Sequence, residues 1–88
     1  MITRDVTIVN PLGLHARPAA QVVKLATGFV SSIEIEKDAM SINAKSIMGV
    51  MMLAAECGSV IRLKADGADA EAAVEALAAL VAAGFGES

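Results

Sequence analysis

An α+β two-layer domain is the fold this sequence predicts, from two period-two runs joined by a two-residue turn and from two segments with helical spacing. The first run, Ser32-Ile33-Glu34-Ile35-Glu36-Lys37, sets Ile33 and Ile35 on one face and charged residues on the other. The second, Met40-Ser41-Ile42-Asn43-Ala44, does the same with Met40, Ile42 and Ala44. Alternation with one polar face marks strands of an antiparallel sheet that is wetted on one side. Ala19, Val22, Val23 and Ala26 recur at i, i+3, i+4 and i+7, and Val74, Leu77, Leu80 and Val81 form a second stripe.

The elements follow in order. A first β-rich run spans Ile2 to Val9, and Pro11 and Gly13 turn the chain after it. A helix from Ala16 to Thr27 leaves Gln21 and Lys24 outward and has Gly28 as its stop. The hairpin comes next. Its Asp38-Ala39 turn is not ideal, because a type I′ turn wants Gly second and Ala39 is costly at positive φ. Ser46 is an N-cap for a short helix from Ile47 to about Ala54, interrupted by Gly49. Val60 to Ala65 alternates through Ile61, Leu63 and Ala65 and supplies the last strand. Asp69 caps a helix from Ala70 to Ala83, which Glu71 and Glu75 favour at its N-terminal half and Gly84 ends. The order is β-α-β-β-α-β-α, with helices on one face of the sheet. Residues Phe85 to Ser88 are expected to fray.

Composition limits the function. At 88 residues the chain has room for one domain, 1–88, and its 56% hydrophobic content with positive mean hydropathy builds a core without disulfides or metal. The only thiol is Cys57, which excludes a cysteine-rich zinc site, and the lack of Trp and Tyr removes most of the usual base-stacking platforms. A net charge of −3 without a basic cluster argues against nucleic acid. No apolar run approaches the ~20 residues of a membrane span, and no signal-like segment follows Arg4, so a cytoplasmic protein with no membrane insertion is expected. No cofactor or metal is expected.

The chemistry is concentrated in Asn10-Pro11-Leu12-Gly13-Leu14-His15-Ala16-Arg17-Pro18-Ala19-Ala20, which holds the only His and both Pro residues. His15 falls at the N-cap of the first helix, and Pro18 falls in its first turn, where a missing N–H costs little. Free N–H groups and the helix dipole make such an end an anion site. Arg17 adds a guanidinium able to clamp phosphate. The same positive end favours a neutral imidazole, whose ring nitrogen is a competent nucleophile. Taken alone, a His at a helix start is more often a surface or capping residue, and these features reach only an anion site of unknown purpose.

Gly13-Leu14-His15-Ala16-Arg17-Pro18-Ala19 closely resembles the active-site signature of the HPr family, and Asn43-Ala44-Lys45-Ser46-Ile47-Met48-Gly49-Val50-Met51 resembles that family's regulatory segment. The similarity runs over essentially the whole chain. It implies an open-faced β-sandwich, a four-stranded antiparallel sheet covered on one face by three helices. It implies a phosphoryl carrier, not a standalone enzyme, that takes phosphate from Enzyme I on Nδ1 of His15 and hands it to IIA proteins. Arg17 would stabilise the phosphoryl group. Ser46 would be phosphorylated by an HPr kinase/phosphorylase. Ile47, Met48, Gly49, Met51 and Ala20 would lie on the docking face of a carrier expected to be monomeric. The short helix is too apolar to bury every side, which supports that face from the residues themselves.

Asp38-Ala39 departs from the family's Gly-containing hairpin turn, and the last helix is unusually rich in Ala. Three rival readings remain. One is a regulatory paralogue acting through Ser46 alone, although such relatives lack the active histidine that is present here. Another feeds regulatory, nitrogen-branch IIA partners in place of sugar uptake. A third is a plain anion-binding domain.

Overall fold

The alternating runs become strands and the helically spaced runs become helices. The computed structural model describes residues 1–87. It places β1 (Ile2–Thr7), α1 (Ala16–Ala26), β2 (Ser32–Lys37), β3 (Met40–Asn43), α2 (Ile47–Met52), β4 (Val60–Asp66) and α3 (Ala70–Ala82) in that order, with a 3-10 turn at Gly84–Gly86 after them. The four strands form one sheet in the order β1-β4-β2-β3, and each neighbouring pair is antiparallel. This is the open-faced sandwich expected of the sequence.

Period two divides the sheet. Ile33 and Ile35 of β2 and Ile61, Leu63 and Ala65 of β4 point at the helices and are buried, together with Val22, Val50, Val74, Leu77 and Val81. Each large aliphatic side chain removed from water contributes about 1.5–3 kcal/mol before entropy is counted. The other face is ionic. On the central strand β4, Arg62 stands opposite Asp5 of β1 and Glu36 of β2, and Lys64 stands opposite Glu34. The Arg62 guanidinium donates to Asp5 at 2.9 Å, and Lys64 lies 3.5 Å from Glu36 and 3.6 Å from Glu34. Opposite charges directly across strands select this register and disfavour a slip.

Several boundaries differ from the sequence reading, each for a local reason. β1 stops at Thr7 because the regular ladder ends there: the Ile8 amide donates to the Ser59 carbonyl (2.9 Å) while its carbonyl accepts from the Gly58 amide (2.7 Å), two residues opposite one. α1 ends at Ala26 on a Thr27 cap, and Gly28 beyond it is not left-handed. α2 ends at Met52, with Ala54 at φ 49 in the left-handed position that follows many helices. In the hairpin the positive φ of 55 falls on Asp38 and not on Ala39. Asp tolerates that region better than Ala does, so the turn lacks the strain expected of it.

Two corrections reach further. Asp69 occupies the N-cap of α3 but makes no cap bond there. Its carboxylate instead accepts from the backbone amides of Val30 (2.9 Å) and Ser31 (3.0 Å) and from the Ser31 hydroxyl, fastening the loop after α1 to the start of α3. Nor does the C-terminal segment fray at Phe85. Gly84, at φ 63, ends α3 as expected, and the chain turns so that Phe85 is 3% exposed in the core. Ser88 lies outside the described residues.

Candidate functional site

The loop between β1 and α1 is built around Asn10, which is 2% exposed. Its Nδ2 donates to the Gly13 carbonyl at 2.8 Å, and the Gly13 amide returns a bond to the Asn10 carbonyl at 3.1 Å. Gly13 has φ 66, and a Cβ there would run into the Ala55 carbonyl oxygen. That carbonyl accepts the Leu14 amide at 2.9 Å, so only Gly lets the loop lie against the Ala55 backbone. Buried Leu14 then pins the backbone immediately before His15.

His15 is the N-cap of α1, in an extended conformation with φ −79 and ψ −170, and its carbonyl accepts the Ala19 amide at 2.9 Å. Its side chain makes no cap bond. Among the described residues, the Ala16 and Arg17 amides have no protein acceptor. Pro18 is buried and has no amide to satisfy. The helix therefore offers two N–H donors beside the imidazole, at its positive end. Arg17 is exposed and, among the described residues, in no ion pair.

The imidazole is oriented from a direction the sequence did not suggest. His15 Nε2 lies 2.7 Å from Oε2 of Glu87, with the two side chains 35% and 17% exposed. Oε1 of Glu87 accepts Nδ2 of Asn10 at 2.9 Å. The Asn10 hydrogen bond holds the Glu87 carboxyl below its ordinary range; partial burial opposes this, and His15 and the nearby Arg17 charge reinforce it. An ionised carboxylate can only accept, so Nε2 carries the hydrogen of the contact. Nδ1 has no protein partner among the described residues and is the nitrogen left for chemistry. Asn10 and Glu87 are thus the two site residues that sequence reasoning missed. In the sequence Asn10 is only the first residue of the stretch that holds His15, and Glu87 falls in a tail expected to fray. The available signal was Phe85 between two glycines, an apolar anchor able to hold that tail.

Ser46 is the N-cap of α2, and its Oγ accepts the Gly49 amide at 3.1 Å. α1 and α2 pack side by side. Within α2 only Val50 is buried, while Met48 is 73% exposed and Ile47, Met51 and Met52 are exposed as well. Ala20 on α1 is also exposed. Gly49 faces the other way: an added Cβ would meet Ile42, the Asn43 carbonyl and Ser46 at 3.4 Å, so its small size serves the packing of α2 on β3. Cys57 is exposed, with Sγ 3.7 Å from the Val9 carbonyl. Among the described residues no acidic, His or Cys group could hold a metal, and no helix is long and apolar enough to cross a membrane.

A family model described as "PTS HPr component phosphorylation site" matches residues 2–83. The chain is 52% identical over 87 residues to the phosphocarrier protein HPr of Cupriavidus necator, covering 99% of this chain and 98% of the relative. The HPr-C-His structure from Thermoanaerobacter tengcongensis superposes with a TM-score of 0.96 at 48% identity, over 100% of this chain and 99% of the other. An HPr dimer structure from the same organism superposes at 0.79 with 50% identity, over 93% and 94%. Fold and likeness together define a phosphocarrier, a component of phosphoryl transfer and not a catalyst in its own right. The chain belongs to the HPr family of the phosphoenolpyruvate-dependent phosphotransferase system.

Proposed function

We propose that this chain accepts a phosphoryl group from phospho-Enzyme I on Nδ1 of His15 and passes it to IIA proteins. The observation that carries the reading is His15 at the start of α1, where among the described residues Nδ1 and the amides of Ala16 and Arg17 have no protein partner. As the N–P bond forms, the phosphoryl oxygens come within reach of those donors, and Arg17 swings its exposed guanidinium onto them. The helix start then stabilises the charge the transfer delivers. The carrier works in the cytoplasm as a monomer with its docking face open.

Ala20, Ile47, Met48 and Met51 form the surface that Enzyme I, IIA proteins and an HPr kinase/phosphorylase share, while Gly49 lets α2 pack closely on β3 beneath it. Phosphate on Ser46 adds charge beside that surface and weakens acceptance from Enzyme I. The test is incubation with Enzyme I and phosphoenolpyruvate, followed by intact mass and acid lability, with His15→Ala in parallel. An acid-labile phosphoryl adduct that disappears in His15→Ala is the expected result. No adduct with an active, cognate Enzyme I would sink the carrier reading.

A further inference from the structure

We propose that Glu87, held by Asn10, is a positioning residue for phosphoryl transfer at His15, an inference that rests on the carrier reading above. Three features place it there. The tail is anchored: Phe85 is buried, its carbonyl accepts Nε2 of Gln21 at 3.2 Å, and the Glu87 amide donates to the Gly84 carbonyl at 3.0 Å. The carboxylate is bridged, with one oxygen on buried Asn10 and the other on Nε2 of His15. Asn10 is itself fixed, because its Nδ2 also donates to Gly13. Turning the Asn10 amide over would set its oxygen against both the Gly13 carbonyl and the Glu87 carboxylate, so its orientation is set by its partners.

The bridge acts in two ways. It fixes the tautomer: a carboxylate on Nε2 requires the hydrogen there and leaves the Nδ1 lone pair for phosphorus. It also supplies a counter-charge. When the Nδ1 pair forms the N–P bond, the bond from phosphorus to the donor breaks and its electron pair leaves with the donor. Nε2 keeps its hydrogen, so the phosphorylated ring is cationic and Glu87 faces that charge. On transfer out, the acceptor attacks phosphorus and the N–P pair returns to Nδ1. The ring is neutral again without any proton having moved. One contact therefore serves both directions of the relay, and it engages Nε2 and leaves Nδ1 to the phosphoryl group.

Two variants separate orientation from charge. Glu87→Ala removes the acceptor, and Glu87→Gln keeps an acceptor oxygen but no charge. For each, phosphorylation by Enzyme I and phosphoenolpyruvate is timed, and the Hε2 resonance of His15 is followed by ¹⁵N-edited NMR. In the wild type a downfield, slowly exchanging Hε2 signal is expected. Glu87→Ala loses that signal and slows phosphorylation on the order of tenfold; Glu87→Gln keeps the signal and still slows. Wild-type rates in both variants overturn the role, and so does a wild-type ring without a hydrogen on Nε2. If the wild type takes up no phosphate at all, the carrier reading has failed, a result distinct from failure of Glu87.

Discussion

The Ser46 hydroxyl oxygen stands 3.1 Å from the Gly49 amide and is the only side-chain acceptor at the start of α2 among the described residues. Removing it in Ser46→Ala should lower stability by about 1 kcal/mol, as for other lost N-caps. Ser46→Asp keeps an acceptor and places a negative charge at the helix start, so it should unfold close to the wild type in urea. The same Asp should slow phosphorylation by Enzyme I, on the order of tenfold, because the charge sits beside the docking face. Equal phosphorylation rates for the wild type and Ser46→Asp would leave Ser46 with a capping role alone.

Ala54 follows α2 at φ 49, with its side chain exposed. A left-handed conformation costs a non-glycine residue roughly 1–2 kcal/mol. Replacing Ala by Gly also loosens the unfolded chain, which costs about 0.4–1 kcal/mol. The first effect is the larger. Ala54→Gly should therefore raise stability by about 0.5–1 kcal/mol, read as a higher urea midpoint with unchanged slope.

Asp69 ties Val30 and Ser31 to the start of α3, and those bonds hold its carboxyl below the ordinary aspartate value of 3.8, the Ser31 hydroxyl acting most strongly. A carboxylate with a lowered folded pKa gives stability that is present above the unfolded value and is lost as pH falls through the folded one. Asp69→Asn should accordingly be less stable than the wild type at pH 7. The gap should narrow as the pH drops below about 3.8, since the wild-type carboxylate is then being protonated. Asp5 and Glu87 titrate downward in both proteins and cancel in the difference. Urea titrations of the pair at pH 7 and near pH 3 measure it; a gap independent of pH would mean that the bonds do not depend on charge.

Sheet and helices were legible because Ile33/Ile35, Ile61/Leu63 and Val74/Leu77/Val81 carry their period in consecutive sequence, where burial leaves its plainest mark. His15, Arg17 and Ser46 were legible for a related reason: each lies within a few residues of the helix start that gives it meaning. What was not legible involves long separations. Asp69 looks like a cap because capping is local, yet its partners are Val30 and Ser31, which only the packed fold brings near. Glu87 and His15 are joined only after Phe85 is buried, and no local pattern specifies which polar group an anchored tail will meet.

Met48 and Ile47 provide the sharpest test of the docking face, being 73% and 44% exposed on a helix whose only buried residue is Val50. Their side chains are not needed for the core, so Met48→Glu and Ile47→Glu should each change stability by no more than about 0.5 kcal/mol. If the face receives Enzyme I, each Glu places a charge in an apolar contact, and the KM for the carrier should rise on the order of tenfold. Val60 is the matching control. It is 55% exposed but lies next to Ile61 in alternation, on the open face of the sheet away from the helices. Val60→Glu should leave KM unchanged. Equal losses in all three variants would point to a general charge effect, and no loss in the α2 variants would remove that helix from the interface.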